Sequence, residues 1–98
     1  SAKSFNKYIG EWDTSNVNNM ISMFSDAESF NQYIGRWDVS SVPNIANMAM
    51  MFNEASSFWQ NLSEWCVENI PSKPAFFDVG AGFQGQGHLQ PDWGSCPS

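Results

Sequence analysis

The sequence repeats itself at an interval of 25 residues, and this repeat limits the possible folds more than any other feature. FNKYIGEWDTSNV, residues 5–17, returns as FNQYIGRWDVSSV, residues 30–42. A weaker third copy begins 28 residues further on and keeps mainly the apolar positions Phe58, Trp59, Leu62, Trp65, Val67 and Ile70. A period of about 20 to 50 residues is typical of stacked-repeat proteins, in which each repeat buries its apolar side only against its neighbours.

A second repeated unit lies between the copies of this block. MFSDAESF, residues 23–30, and MFNEASSF, residues 51–58, are 28 residues apart, so the three extra residues fall in the stretch PNIANMAMM. The apolar residues at the first unit follow the i, i+3, i+4, i+7 spacing of one helical face: Met20, Met23, Phe24 and Ala27. The YIGxW part of each block, with β-branched residues after it, favours a short strand.

These patterns predict an α/β fold: a short solenoid similar to leucine-rich repeats, in which each coil is a short strand followed by a short helix. Strands of successive coils would pair in parallel about 4.8 Å apart. We expect the Trp, Phe and Met residues to form the core, with equivalent rings stacked on one another. Asn6, Asn31, Asp13 and Asp38 are expected to satisfy backbone groups once per coil. A calcium ladder of the aligned carboxylates is the alternative, but the third copy has Cys66 at that position.

Composition excludes several classes of function. Four basic residues against ten acidic ones give a net charge of −6, which disfavours nucleic acid and anionic membrane surfaces as partners. No apolar run approaches the length of about 18 residues that a membrane span needs, so no membrane insertion is expected. With one His and no nucleophile beside a base, the sequence predicts no enzyme, no cofactor and no metal site. GAGFQGQG, residues 80–87, lacks a Lys and is interpreted as a flexible loop rather than a phosphate loop.

The two cysteines, Cys66 and Cys96, leave two alternatives. In an oxidising compartment they would form one disulfide, and closing a loop of about 30 residues would stabilise the fold by about 3.5 kcal/mol in the chain-entropy model. In a cytosolic protein they would be two buried thiols. The pattern favours the extracellular alternative.

The motif FNxYIGxWDxSxVxNM followed by MFxxAxSF, in residues 5–30 and again in 30–58, resembles the repeat of the BspA-like family. These repeats of about 25 residues occur in bacterial surface proteins and were formerly catalogued as a mycoplasma domain of unknown function. The sequence departs from the family pattern at Pro43, at the three-residue insertion, at Tyr8 and Tyr33, where Asp is usual, and at Trp59, where Asn is usual.

The resemblance implies a leucine-rich-repeat-like solenoid on secreted or cell-surface proteins, associated with adhesion and protein interaction and without catalytic residues. It divides the chain into about two and a half repeats, residues 1–70, and a C-terminal capping segment, residues 71–98. The ending of such arrays is matched by Trp65, Cys66, Trp93, Gly94 and Cys96, so the cap is expected to be closed by the Cys66–Cys96 disulfide.

The two ends of such a short stack predict where a partner binds. Uncovered, the first coil would expose about 300 Å² of apolar surface, worth about 7 kcal/mol on burial. We therefore expect an end-on interface that contains Ala2, Phe5, Ile9 and Trp12. Its partner would be preceding repeats or a neighbouring subunit, and a head-to-tail contact that does not close would produce a filament.

The predicted function is an extracellular or cell-surface structural or protein-interaction module of the adhesin type. The alternative is a glycan-binding module, in which Tyr8, Tyr33 and Trp59 are exposed platforms for sugar rings. Asn61 begins the sequon Asn-Leu-Ser and would itself carry a glycan only in a eukaryotic source.

Overall fold

The computed structural model describes residues 3–97, and this part of the chain has very little regular secondary structure. Its helices are two short 3₁₀ helices, Ile45–Met48 and Gly87–Leu89, and it contains no β-strand. The first of these helices begins at Ile45 because the side chain of Asn44 accepts the backbone N–H of Ala46. The prediction of an α/β solenoid with a strand and a helix in each coil is therefore wrong.

The chain instead folds into layers, each made of one block and one turn segment. The blocks are residues 5–17, 30–42 and 58–70, and the turn segments are residues 20–27, 48–55 and 75–82. Phe5, Phe30 and Phe58 stack in sequence, with ring centroids 5.6 and 5.8 Å apart. Trp12 lies nearly parallel to Trp37 at a centroid distance of 6.5 Å. These distances confirm the predicted stacking of equivalent aromatic residues.

The turn segments are not helical because their backbone N–H groups alternate between two kinds of acceptor. The N–H of Met23 closes a turn on the carbonyl of Met20, three residues earlier, at 3.3 Å. The next N–H, that of Phe24, donates to Met51 in the second layer at 2.8 Å. An α-helix would direct each N–H to the carbonyl four residues earlier in the same segment. A helix and this contact between layers therefore exclude each other.

Left-handed backbone conformations interrupt each turn segment a second time. The first two segments each have two non-glycine residues with φ between 57° and 62°, namely Ser22, Asp26, Met50 and Glu54. An α-helix needs φ near about −63° throughout. The helical spacing in the sequence instead arises from successive tight turns, which direct Met20, Phe24 and Ala27 into the core.

Side chains, rather than a ladder of backbone hydrogen bonds, join the layers along the blocks. Asn6 Oδ1 accepts the backbone N–H of Asn31 at 2.9 Å, and Asn31 Oδ1 accepts that of Trp59 at the same distance. Gln32 and Gln60 brace the two asparagines through their Nε2 groups. The amide oxygen of Asn therefore takes the place that a neighbouring strand would have, which explains why the predicted strands do not form.

The tryptophans form a second set of bonds between layers. The indole N–H of Trp37 donates to the carbonyl of Ile9 at 2.9 Å. Trp65 repeats the bond one layer later, to the carbonyl of Ile34 at 3.0 Å. Both indoles are buried, so each Trp supplies core volume and satisfies a buried carbonyl of the preceding layer.

The core runs between the blocks and the turn segments and continues through the layers. Phe24 and Phe52 stack at 5.5 Å. Each also stacks on a phenylalanine of a block, Phe24 on Phe30 at 4.3 Å and Phe52 on Phe58 at 4.4 Å. The result is a continuous column of aromatic rings at the centre of the molecule.

A third turn segment lies in a region that the sequence interpretation treated partly as a flexible loop. The N–H of Phe52 donates to the carbonyl of Phe77 at 2.8 Å, so residues 75–82 continue the pattern of the earlier layers. Ala81 and Phe83, within GAGFQGQG, are buried. The signal for this was present, because FFDVGAGF has phenylalanine at the same two places as MFNEASSF.

Residues 83–97 cover the third block. Phe83 packs edge-on against Phe58 at 5.0 Å, and the N–H of Leu62 donates to the carbonyl of Leu89 at 2.8 Å. Cys66 and Cys96 form a disulfide across this contact, which confirms the predicted pairing.

The indole hydrogen bond predicts a difference between two equivalent tryptophans. Trp37→Phe leaves the buried carbonyl of Ile9 without its donor and should lower the free energy of unfolding by about 1–3 kcal/mol, in addition to the cost of lost volume. Trp12→Phe, the matched control, removes an N–H that has no acceptor among residues 3–97 and should change stability by less than about 0.5 kcal/mol. Urea unfolding of both variants measures the difference, and equal losses would contradict the assigned role.

Candidate functional site

Equivalent residues of the first and second layers differ sharply in exposure. Trp37 and Met51 in the second layer are 4% and 0% exposed, whereas their equivalents Trp12 and Met23 are 62% and 41% exposed. Within residues 3–97, the second layer has a neighbour on both sides and the first layer has one only. We call the uncovered side the N-terminal face and define it by Phe5, Ile9, Trp12, Met23, Phe24 and Ala27.

A cavity of about 280 Å³ opens on the N-terminal face. One wall is the block side of the face, the other is the turn side, and Trp37 of the second layer also contributes to the lining. All the lining side chains are apolar. The volume lies near the lower end of the range of about 300–1,000 Å³ for small-molecule sites, so the cavity suits inserted apolar side chains better than a large ligand.

The block side of the face carries hydrogen-bond donors that later layers use. The indole N–H of Trp12 is equivalent to that of Trp37, which binds the carbonyl of Ile9. The backbone N–H of Asn6 is equivalent to that of Asn31, which binds a side-chain oxygen of the preceding layer. Neither Trp12 Nε1 nor the Asn6 N–H has an acceptor among residues 3–97. A partner on this side must therefore offer acceptors.

The turn side of the face carries the opposite kind of group. In the second layer, the carbonyl of Met51 accepts the N–H of Phe24 from the layer before it. The equivalent carbonyls of the first layer accept no hydrogen bond from residues 3–97, and they belong to Ile21, Met23 and Ser25. A partner on this side must offer donors.

Three of the four residues predicted for an end-on interface lie together here, since Phe5, Ile9 and Trp12 all line the cavity. The fourth, Ala2, lies outside the described residues. The sequence interpretation missed Met23, which it assigned to the buried face of a helix. Its exposure follows from belonging to the first layer, because its equivalent Met51 is fully buried.

The aromatic residues predicted to contact a glycan lie on the sides of the layers. Tyr8, Tyr33 and Trp59 are 53%, 39% and 50% exposed. A Cβ atom at Gly10 would lie 2.5 Å from Tyr8 Oη, and one at Gly35 would lie 2.4 Å from Tyr33 Oη. Each tyrosine ring therefore lies against the glycine two residues later, and only glycine leaves room for it.

The hydroxyl of Tyr8 has a polar neighbour on this side. It donates a hydrogen bond to Glu11 Oε2 at 3.2 Å. Partial desolvation, this hydrogen bond and the negative charge of Glu11 raise the pKa of Tyr8 above its usual value. The phenol is therefore neutral at physiological pH.

Asp13 and Asp38 shape the turn at the same point of two successive blocks. Asp13 Oδ1 accepts the backbone N–H and the hydroxyl of Ser15, at 3.1 and 2.6 Å. Asp38 Oδ1 binds Ser40 in the same way, at 3.0 and 2.5 Å. The serine hydroxyl and then the backbone N–H hold the pKa of both carboxyls below the usual value. In the third block Cys66 takes this position and forms the disulfide instead.

Residues 3–97 contain no group of three or more His, Cys, Asp or Glu side chains that could hold a metal ion. In the same range, no helix has the length and apolar character needed to cross a lipid bilayer.

Residues 1–89 match the family described as "Mycoplasma protein of unknown function, DUF285". The match covers most of the chain, so this protein belongs to that family. Searches of curated proteins and of solved structures returned no match.

The two aspartate turns predict a specific dependence of stability on acid pH. Because the folded state lowers both pKa values, the contribution to stability is complete above the unfolded pKa, near about 4, and is lost as the pH falls through the folded values. Asp13→Asn with Asp38→Asn keeps the accepting oxygen but removes the titration. Its free energy of unfolding should therefore fall less than that of the wild type between about pH 4 and 2.

Urea unfolding across this pH range measures the effect. Glu64→Gln with Glu68→Gln is the control, because it removes two exposed carboxylates that accept no hydrogen bond from residues 3–97. An asparagine double variant with an unchanged wild-type slope would contradict the assigned role of the serine hydrogen bonds.

Proposed function

We propose that this chain is an extracellular or cell-surface protein-interaction module of the adhesin type, which binds a protein partner through its N-terminal face. The observation that carries the proposal is the exposure of Trp12 and Met23 beside an apolar cavity of about 280 Å³, although their equivalents Trp37 and Met51 are buried. The face has the composition of an interface between layers and lacks a covering layer among the described residues.

The chemistry of the face suits a protein partner. Contiguous exposed apolar surface is uncommon on soluble monomers and marks interaction sites. Tryptophan and methionine are enriched at protein interfaces, and tryptophan is frequent among the residues that contribute most to binding. The unpaired donors and acceptors beside the cavity add direction, since they fit the N–H and C=O groups of another polypeptide backbone.

The proposed location rests on two observations. The Cys66–Cys96 disulfide supports an oxidising compartment. The repeat motif resembles BspA-like surface proteins, and we propose this finer classification within the family that the chain matches. The net charge of −6 favours a protein partner over nucleic acid or an anionic membrane.

Binding, rather than catalysis, is the proposed activity. The single histidine, His88, is exposed and lies in the segment after the third turn segment, away from the residues that line the cavity. The lining of the cavity has no side chain that could act as a nucleophile or a base.

Trp12→Glu tests the proposed interface. Purified extracellular-matrix proteins, passed one at a time over the immobilised chain in surface plasmon resonance, should include at least one that binds saturably. Trp12→Glu should weaken that binding at least tenfold, or about 1.4 kcal/mol, because it places a charge in the apolar contact.

Trp59→Glu is the matched control, since Trp59 is similarly exposed but does not line the cavity. It should bind like the wild type. Equal weakening in both variants, or no binding by any protein of the panel, would contradict the proposal.

A glycan-binding module is the second candidate, favoured by the placement of Tyr8 and Tyr33. Each ring lies against a glycine and is partly exposed, as a stacking platform for a sugar ring requires. Under this alternative, Tyr8→Ala with Tyr33→Ala should abolish binding of oligosaccharides in calorimetry, whereas Trp12→Glu should retain it. The absence of binding across a broad oligosaccharide panel would eliminate this candidate.

A further inference from the structure

We infer that the partner of the N-terminal face is a second copy of this chain, docked face to face about a two-fold axis. This inference rests on the proposed function, because it names the partner of the same surface. It follows from how the hydrogen bonds between layers are directed.

Hydrogen bonds run in opposite directions on the two sides of a layer. On the block side, the later layer donates to the earlier one, as Trp37 does to Ile9. On the turn side, the earlier layer donates to the later one, as Phe24 does to Met51. The N-terminal face is therefore divided into halves, with free donors along its block side and free acceptors along its turn side.

This division makes the face complementary to itself. A two-fold axis that lies in the interface and runs along the cavity places the block side of each copy over the turn side of the other. The donors Trp12 Nε1–H and Asn6 N–H of one copy then face the free carbonyls of its partner, which belong to Ile21, Met23 and Ser25. Both halves of the interface are satisfied at once, as an isologous contact requires.

Apolar and charged groups follow the same arrangement. The apolar walls of the two cavities come into contact, so that Trp12 of each copy meets the Met23 side of the other. At the end of the face where Lys3 lies 3.9 Å from Glu28, the block side carries Lys3 and Lys7 and the turn side carries Asp26 and Glu28. The two-fold axis places these opposite charges over one another.

The opposite end of the stack does not offer the same match. Residues 83–97 cover the third block, where the N–H of Leu62 is already bound to Leu89. Trp59 occupies the place of Asn6 and Asn31 and has no side-chain oxygen to accept an N–H. A head-to-tail contact would therefore leave the Asn6 donor without an acceptor. The structure favours a closed dimer over the filament that the sequence suggested.

Sedimentation equilibrium tests this dimer over protein concentrations from micromolar to about 1 mM, the range in which moderate interfaces associate. The wild type should approach about 22 kDa, twice the chain mass of 11.0 kDa. Trp12→Glu should raise the dimer dissociation constant at least tenfold, and Trp12→Phe, which removes only the donor and some contact area, should raise it less. Trp59→Glu should dimerise like the wild type.

Circular dichroism and urea unfolding check that each variant is folded, and Met23→Glu is a second interface variant should Trp12→Glu fail that check. A wild type that stays at 11.0 kDa, or forms larger polymers, overturns the inference, as does a Trp12→Glu variant that dimerises normally. If the wild type is monomeric but Trp12→Glu still abolishes binding of a matrix protein, only the inference fails. If neither association is detected, the proposed function fails as well.

Discussion

The divided use of backbone N–H groups in the turn segments is the constraint on which the rest of the structure depends. Every second N–H closes a tight turn, and the N–H groups between them can be satisfied only by another layer. A buried N–H without an acceptor costs about 1–3 kcal/mol, so a turn segment is stable only beside a neighbour. The core aromatic residues are brought into register by the same bonds.

The residues that recur in the sequence are those that this arrangement needs. Phenylalanine supplies the stacked rings at the centre, and the Asn6 and Asn31 amides accept the N–H groups that a strand would otherwise satisfy. Tryptophan contributes both volume and a donor, which explains why it is kept in the third copy even where Asn and Asp are lost. Gly10 recurs as Gly35 because a tyrosine ring covers each of them.

The sequence predicted the features that depend on equivalence between copies. The stacking of Trp12 on Trp37 followed from the period alone, and the disulfide followed from the number of cysteines and the family resemblance. The local backbone could not be predicted in the same way, because helical spacing and a series of tight turns place apolar residues at the same intervals. What distinguishes them is φ at residues such as Ser22 and Asp26, which no side-chain pattern indicated.

The candidate site was only half predictable for a related reason. The block side of the face is visible in the sequence, since Phe5, Ile9 and Trp12 have equivalents in every copy. The turn side consists largely of backbone carbonyls, whose direction depends on the turns and leaves no trace in residue type. The self-complementary character of the face therefore emerged only from the three-dimensional structure.

The distance along the chain between bonded layers has a consequence for how the protein folds. Bonds between layers join residues 25 to 28 positions apart, as from Asn31 to Asn6 and from Trp37 to Ile9. Each such bond requires a long loop to close before any stacking compensates for the lost chain entropy. Chains dominated by contacts of this range reach the native state orders of magnitude more slowly than helical bundles of equal size. Until the second layer arrives, the first has almost nothing to hold it, so the earliest productive event is the meeting of two complete copies of the repeat.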